Sequence, residues 1–282
     1  METTLPDHAF DDWMQALEER HLADLRVQEV TRALRALSSV YVERRGALQR
    51  GAALDSAGKR AAFALFYGPL HYLVTRHIVE AMGMANDCTR VVDLGCGTGA
   101  AGAAWAVALN KSGGGKREAE GGAHRTSGAQ PRVLGIDRHP WAVAEARWTY
   151  RAMGLDGAAR RDEAARVRLP GAHAAIVAAF TVNELADADR DRLLPRLMRA
   201  ANEGSHILIV EPIARSIGAW WDTWAAAIRG AGGREDTWRF EAELPERLRM
   251  FDRAAGLDHR VLTARSLFVR DARVHPASND EP

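Results

Sequence analysis

Residues 91–100 read Val-Val-Asp-Leu-Gly-Cys-Gly-Thr-Gly-Ala, an apolar run that ends in three glycines at alternate positions. Such a run is typical of a buried strand, and the glycines allow a tight turn in which no side chain blocks a ligand. Residues 100–110 have a helical pattern, so the first N–H groups of this helix are free to bind the same ligand. The unit predicts a site for either a dinucleotide pyrophosphate or a nucleoside that carries an amino acid.

Glycine spacing alone leaves these two ligand classes open. Gly97, Gly99 and Gly102 fit the loose pattern G-x-G-x-x-G, which would suit a nicotinamide-dependent dehydrogenase. The acid at Asp93, two residues before the first glycine, favours the other class. A carboxylate at this position repels a pyrophosphate but attracts the ammonium group of an amino acid.

Residues 91–99 closely resemble motif I of the class I S-adenosylmethionine-dependent methyltransferases, whose consensus reads like VVDLGCGTG. The resemblance covers about residues 89–215. It implies an enzyme of class EC 2.1.1.-, a Rossmann-like doubly wound α/β sheet of seven strands, and S-adenosylmethionine as the cofactor. It also implies that the cofactor is bound by the residues of the turn, which are Asp93, Gly95, Cys96, Gly97, Thr98 and Gly99.

A second acid, Asp137, ends the next apolar run, at 133–136. An acid at the end of the second strand can accept two hydrogen bonds from a ribose diol, usually about 20 residues beyond the glycines. Asp137 lies 42 residues beyond Gly95, and the Gly- and Ser-rich segment 111–130 accounts for the surplus as a flexible insertion. The alternative is that Asp137 caps the helix that begins near Pro140.

Four further residues are predicted to contact the cofactor. Asp162 lies where similar methyltransferases place an acid near the adenine amino group, although a solvated charge is an equally good interpretation. Arg138 follows Asp137, the acid expected to bind the ribose, and Phe180 ends the fourth strand. Tyr67 lies just upstream of motif I, where similar enzymes often fold helices over the cofactor as a lid.

Asn183 and Glu184 are the best polar candidates to orient or deprotonate a methyl acceptor, because they follow the strand pattern at 174–179. Equally, the pair could cap the helix that begins near Ala186. The asparagine–proline–proline–aromatic motif of amino-group nucleic-acid methyltransferases is absent here, and so is a cysteine for covalent attack on a pyrimidine carbon. A small-molecule acceptor is therefore the first expectation.

An RNA- or ribosome-directed methyltransferase or assembly factor is the alternative. Residues 180–185 and 209–212 resemble the small-ribosomal-subunit methyltransferase-like family, and four arginines follow on one predicted helix, namely Arg190, Arg192, Arg196 and Arg199. Members of that family carry metal-binding cysteines, whereas this chain has only Cys88 and Cys96, so no metal site is predicted. A third possibility is a protein that binds the cofactor without catalysing.

Composition excludes little. The 282 residues include 38 Lys and Arg against 37 Asp and Glu, and the net charge of +1 gives no bulk signal for nucleic acid or membrane. No stretch reaches the roughly 18 apolar residues of a membrane span. The first residues are acidic and lack the pattern of a signal peptide, and two cysteines suit a reducing compartment, so a cytoplasmic protein is expected.

The chain divides by pattern into an N-terminal helical cap at 1–85, a cofactor-binding methyltransferase domain at 86–270 and a polar tail at 271–282. Residues 8–50 have helical spacing, and a further helix at 58–84 should break or bend at Gly68-Pro69. Strand patterns then alternate with helical ones, as in a doubly wound sheet. Beyond the motif I strand, the predicted strands are 133–136, 174–179, 207–210 and 261–269.

Overall fold

A computed structural model describes residues 8–43, 54–84, 88–114, 130–213 and 220–270. It begins with two helices, α1 (His8–His21) and α2 (Val27–Glu43), rather than the single helix expected over 8–50. The chain breaks between them because the Glu29 carboxylate accepts a 2.8 Å hydrogen bond from the Arg26 N–H group, which caps the start of α2. Residues 44–50 lie outside the described ranges.

Helix α3 (Ala57–Ala62), a π-helical turn (Phe63–Tyr67) and α4 (Gly68–Ala81) run on without interruption. The break or bend predicted at Gly68-Pro69 takes the form of this π-turn, which widens the helix by one residue. Pro69 lies in the first turn of α4, directly after the π-turn, in which the Gly68 N–H group donates to the Phe63 carbonyl. The π-turn thus lets one long helical segment pass through a proline.

The centre of the molecule is one seven-stranded sheet in the order β3-β2-β1-β4-β5-β7-β6. The strands are β1 (Arg90–Leu94), β2 (Arg132–Asp137), β3 (Gly157–Arg161), β4 (Ala174–Ala179), β5 (His206–Glu211), β6 (Arg234–Glu241) and β7 (Val261–Val269). β1 to β5 are parallel, and β7 is antiparallel to both β5 and β6. The predicted Rossmann-like, doubly wound α/β fold is confirmed.

Helices cover both faces of the sheet. They are α5 (Ala100–Gly114), α6 (Pro140–Ala152), α7 (Asp187–Asn202), α8 (Trp220–Gly230) and α9 (Glu246–Ala254). One core joins the N-terminal helices with α5, α6 and α9, and the other joins α7 and α8. The insertion predicted at 111–130 begins inside α5, and its remainder, 115–129, lies outside the described residues, as does the predicted tail.

The topology brings several chain segments to one edge of the sheet. The parallel strands β1 to β5 all end there, and the strand order reverses between β1 and β4, which is where ligands bind in open α/β sheets. Arg265 of β7 pairs with Glu211, the last residue of β5, so the start of β7 projects past the same edge. Within the described ranges, no helix is long and apolar enough to cross a membrane.

Candidate functional site

A cavity of about 670 Å³ opens at this edge of the sheet. Twelve of the thirteen residues predicted for the site line it: Tyr67, Asp93, Gly95, Cys96, Gly97, Thr98, Asp137, Arg138, Asp162, Phe180, Asn183 and Glu184. The thirteenth, Gly99, lies behind the turn, where an added Cβ would come within 2.8 Å of the Tyr150 ring. The fold therefore brings residues that are up to 117 positions apart in the sequence to one place.

The glycine turn is held in a conformation that other residues rarely adopt. Gly95, Gly97 and Gly99 have φ angles of 69°, 51° and 80°, in the left-handed region. Gly95 also lies against Thr181 of the neighbouring segment, whose Cγ2 would be 2.2 Å from an added Cβ. The Gly95 and Cys96 N–H groups both donate to the Ile136 carbonyl, at 2.8 and 3.0 Å. The turn is thus fixed between the ends of β2 and β4.

Asp137 connects the end of β2 to the glycine turn. One carboxylate oxygen accepts a hydrogen bond from the Gly97 N–H group at 3.0 Å, and the other accepts from the His139 N–H group at 2.8 Å. The N-cap of α6 is His139, whose Nδ1 accepts from Trp141. The structure therefore does not support the capping alternative for Asp137, which instead holds its carboxylate at the cavity wall.

Asp93 is almost completely buried, with 1% of its surface exposed. Its Oδ2 atom accepts a 2.8 Å hydrogen bond from the Gly102 N–H group in the first turn of α5. Burial raises the pKa of Asp93 to about 7; the bond from Gly102 lowers it, and the Asp137 carboxylate raises it. A cation bound beside Asp93 would stabilise its charged form.

Asn183 and Glu184 lie in a single 3₁₀ turn (Val182–Glu184) beyond β4. Neither residue caps α7, because the N-cap is Ala186 and no side chain bonds there. The Asn183 N–H group donates to Glu211 Oε1 at 3.0 Å, which joins the turn to the end of β5. Burial raises the pKa of Glu184 to about 7 and that of Glu211 to about 8. Both groups can therefore change charge near neutral pH.

The Phe180 ring stacks on the His71 ring, and both residues line the cavity. The ring centroids are 4.0 Å apart and the planes differ by 12°. Phe180 has a φ of 56°, a strained conformation for a large side chain, and its N–H group donates to the Val210 carbonyl at 2.7 Å. Burial lowers the pKa of His71 to about 3, so this imidazole stays neutral.

No protein-family model and no curated protein matches this sequence. Among solved structures, a putative class I S-adenosylmethionine-dependent methyltransferase from Listeria monocytogenes is similar with a TM-score of 0.50, over 97% of this chain and 92% of that chain, at 11% identity. The chain has the fold of a class I methyltransferase.

Two further solved structures are similar over a shorter part of the chain. A TehB-like S-adenosylmethionine-dependent methyltransferase from Corynebacterium glutamicum has 17% identity and a TM-score of 0.41, over 70% of this chain and 86% of that one. An S-adenosylmethionine-dependent methyltransferase from Aquifex aeolicus has 18% identity and a TM-score of 0.42, over 71% of this chain and 92% of that one.

The part of this class I fold that lines the cavity is strongly acidic. Among the described residues, the lining contains one guanidinium group, Arg138, and seven carboxyl groups, which belong to Asp93, Asp137, Asp162, Glu163, Glu184, Asp189 and Glu211. Asp162 is partly exposed and lies 3.5 Å from Arg160, so a contact with solvent and one with a ligand are both compatible with its position. No three described His, Cys, Asp or Glu side chains are placed to hold a metal ion.

The arginines of α7 that suggested RNA binding are mostly engaged within the chain. Arg190 donates to the Val182 and Leu185 carbonyls and pairs with Asp187. Arg196 donates to three carbonyls of the segment 165–167, and Arg192 pairs with Asp189. This face of α7 therefore fixes the loops beside the cavity.

The sequence analysis missed several residues that line the cavity. His259, close to the start of β7, is hydrogen-bonded to Asp252 of α9 and lines the cavity. Ser38 of α2 bonds Tyr67, whose pKa burial nevertheless raises to about 12. None of these residues belongs to a local motif, so the sequence pattern alone does not reveal them.

Proposed function

We propose that the chain is an S-adenosylmethionine-dependent methyltransferase that acts on a small molecule. The observation that carries this proposal is the cavity itself, in which the glycine turn and two carboxylates, Asp93 and Asp137, meet where the strand order reverses. The N-terminal helices contribute Phe63, Tyr67 and His71 to the same wall. That contribution supports a division into a cap at 1–85 and a cofactor-binding domain at 86–270.

The residues of the cavity fit this cofactor by charge and by chemistry. When bound, S-adenosylmethionine supplies an electrophilic methyl group on a positively charged sulfur. Asp137 would hold the ribose hydroxyls, and Asp93 the ammonium group, while Asp162 would lie towards the adenine. The acidic lining favours a cationic ligand, whereas the pyrophosphate of a dinucleotide would be repelled by the same carboxylates.

The acceptor that suits the remaining wall is uncharged or cationic. Seven carboxyl groups against one guanidinium would repel the phosphates of RNA and the carboxylate of an acidic metabolite. Glu184 and Asn183, at the end of β4, would orient this acceptor. Cys88 and Cys96 form no disulfide bond with each other, which supports activity in a reducing compartment such as the cytoplasm.

Calorimetric titration with S-adenosylmethionine and S-adenosylhomocysteine tests the cofactor assignment. We expect micromolar binding to the wild type and at least about tenfold weaker binding to Asp137→Asn, which removes the charge at the end of β2. Asp156→Asn is the matched control, because Asp156 is an exposed carboxylate paired with Arg132. Absence of binding to the wild type would contradict the proposal.

The acceptor class is tested with radiolabelled S-adenosylmethionine. Wild-type protein is incubated either with a protein-free extract of small molecules from the source cells or with purified ribosomal RNA. We expect label in the small molecules and none in the RNA. Label in the RNA alone would favour the ribosome-directed alternative, and cofactor binding without label in either pool would favour a protein that does not catalyse.

A further inference from the structure

The loop between α9 and β7 places a histidine–carboxylate pair at the cavity. His259 Nδ1 lies 2.5 Å from Asp252 Oδ1, and the His259 N–H group donates to Asp252 Oδ2 at 2.8 Å. The Asp252 side chain is buried, with 7% exposed, whereas 33% of the His259 side chain is exposed, and His259 lines the cavity. Both carboxylate oxygens of Asp252 thus bond the same residue and fix the position of its ring.

This arrangement defines which ring nitrogen can take a proton. A carboxylate only accepts hydrogen bonds, so Nδ1 carries the proton in the neutral ring and Nε2 carries a lone pair. Nε2 makes no hydrogen bond with the part of the chain that the structure describes. The Phe66 ring of the π-turn packs edge-on against the imidazole, with a centroid distance of 5.5 Å and an interplanar angle of 73°.

The sheet topology places His259 on the acceptor side of the cavity. Asp137, expected at the ribose, ends β2, which lies on one side of the point where the strand order reverses. β5 and β7 lie on the other side, and residues 261–264 project beyond the end of β5. His259 precedes this projection, and Leu262 and Thr263 line the cavity beside it.

We propose that His259 is the general base that deprotonates the methyl acceptor, with Asp252 as its positioning residue. The inference rests on the proposed function and narrows the acceptor to a molecule with a proton to lose, namely an uncharged hydroxyl compound. The acceptor's O–H proton goes to Nε2 of His259, and the oxygen lone pair forms a bond to the methyl carbon. The electron pair of the breaking carbon–sulfur bond goes to sulfur, and the imidazolium later releases its proton to water.

Hydrogen bonding favours the His259 imidazole over the carboxyl group of Glu211 for this step. Asp252 stabilises the imidazolium that forms, as a carboxylate does in other histidine–carboxylate pairs. Glu211 already accepts a hydrogen bond from Asn183, and Glu184 adds a second carboxyl group beside it that raises its pKa. Glu211 Oε1 is therefore already occupied, whereas Nε2 of His259 has no hydrogen-bond partner among the described residues and can accept a proton.

The first test compares methyl transfer from S-adenosylmethionine to the small-molecule extract by the wild type and by His259→Gln. We expect kcat to fall about 10²- to 10⁴-fold, the range for loss of a general base, with calorimetric affinity for S-adenosylhomocysteine unchanged within about twofold. His77→Gln is the matched control, since His77 stacks on Phe240 and does not line the cavity. A kcat within about threefold of wild type for His259→Gln would overturn the proposal.

The second test needs no turnover. Long-range nitrogen–proton NMR of histidine-labelled protein reports the tautomer of His259, whose signals are assigned by their loss in His259→Gln. We expect a protonated Nδ1 and an unprotonated Nε2 in the wild type. Asp252→Asn keeps a carbonyl for the His259 N–H group but turns an amide donor towards Nδ1, which moves the proton to Nε2. A wild-type ring with its proton on Nε2 would contradict the mechanism.

The outcomes separate this inference from the proposed function. Wild-type protein that binds no S-adenosylmethionine removes both. If the wild type methylates the extract and His259→Gln is equally active, the role of His259 is contradicted but the proposed function stands. The same holds if Glu184→Gln loses activity and His259→Gln does not. Loss of kcat in both His259→Gln and Asp252→Asn, with the cofactor still bound and the tautomer changed in Asp252→Asn, supports the role of His259.

Discussion

Asp93 combines a buried position with a charge that the proposed cofactor requires. Its pKa, raised from 3.8 to about 7, means that the folded chain holds a proton on this carboxyl group that the unfolded chain has lost above about pH 4. The folded state is therefore stabilised relative to the unfolded state at low pH, and this contribution declines as the pH rises from about 4 to about 7. The buried Asp93 carboxylate that would bind a cation therefore lowers the free energy of unfolding at neutral pH.

We expect Asp93→Asn to stabilise the free chain at pH 8 and to weaken cofactor binding. The amide can still accept the Gly102 hydrogen bond but carries no charge, so a gain of at least about 1 kcal/mol, or roughly 2–4 °C in Tm, is expected. Affinity for S-adenosylmethionine should fall about tenfold or more. Thermal unfolding at pH 5 is the control, since wild-type Asp93 is largely protonated there. An equal gain at both pH values would refute the explanation.

Gly95 and Gly154 have nearly the same backbone conformation, with φ angles of 69° and 64°, but different surroundings. An added Cβ meets nothing within 4 Å at Gly154, whereas at Gly95 it would come within 2.2 Å of Thr181. We expect Gly154→Ala to cost about 1–2 kcal/mol of unfolding free energy from backbone strain alone, and Gly95→Ala about 2–5 kcal/mol. Denaturant unfolding measures both values. Equal costs would show that Thr181 moves freely out of the way.

Among the helices, the segment 57–81 shows which features of an element can be predicted from the local sequence and which cannot. The sequence predicts a disturbance at Gly68-Pro69, and the structure has one, as a π-turn immediately before Gly68. Its form depends on a distant contact, because an added Cβ at Gly68 would come within 2.8 Å of Thr98 Oγ1. The turn directs Phe63 and Tyr67 to the cavity, which the spacing of residues within the helix could not reveal.

The strands also fall into two groups, those that the local sequence predicts and those that it does not. β4 and β5 are buried at all six positions, so each appears in the sequence as an unbroken apolar run and is predicted almost to the residue. β3 (Gly157–Arg161) and β6 (Arg234–Glu241) lie at the two edges of the sheet and are largely exposed. β3 consists of glycine, alanine and arginine, and β6 has charged residues around Thr237, Trp238 and Phe240. Their strand conformation is imposed by the neighbouring strand, and the sequence analysis missed both.

Helix α1 is attached to α6 through a buried carboxylate. The Glu145 side chain is 0% exposed and accepts bonds from His21 at 2.7 Å and from Arg20 at 3.3 Å. Arg20 also lies over the Trp148 ring, 4.9 Å from its centroid. We expect Glu145→Ala to lower the free energy of unfolding by about 2–3 kcal/mol, because it leaves His21 and Arg20 without the carboxylate that they bind. Amide hydrogen exchange throughout α1 should also become faster.

The matched control for α1 is Glu18→Ala, which removes the half-exposed pair between Glu18 and Arg247 of α9. An ion pair this accessible should contribute at most about 1 kcal/mol. Mass spectrometry of hydrogen exchange distinguishes the two variants, since only Glu145→Ala should release α1 while the sheet stays protected. Equal exchange in α1 for both variants would mean that apolar packing alone holds the helix.

For the whole molecule, the overall amino-acid composition does not reveal that the cavity is acidic. Basic and acidic residues nearly balance, 38 against 37, yet the described lining of the cavity carries seven carboxyl groups and one guanidinium. Motif I and the acid that ends β2 could be predicted because each is local, whereas the charge of the cavity arises only when distant elements meet. The pair of His259 with Asp252 spans seven residues, but no sequence motif marks it. The arginines of α7 indicate basic character in the sequence and are mostly bonded to the chain in the structure.

Because the cavity is acidic, we expect cofactor affinity to depend on ionic strength. S-adenosylmethionine carries one positive charge more than S-adenosylhomocysteine, so its affinity should fall more steeply between about 0.01 M and about 1 M salt, where the Debye length shrinks from ~30 Å to ~3 Å. A single-stranded RNA oligonucleotide should not bind even at about 0.01 M salt, where phosphate contacts are strongest. Calorimetry at both salt concentrations measures the first effect and fluorescence anisotropy the second. Micromolar RNA binding at low salt, lost at high salt, would mean that a basic surface outweighs the acidic cavity and would return the ribosome-directed alternative to first place.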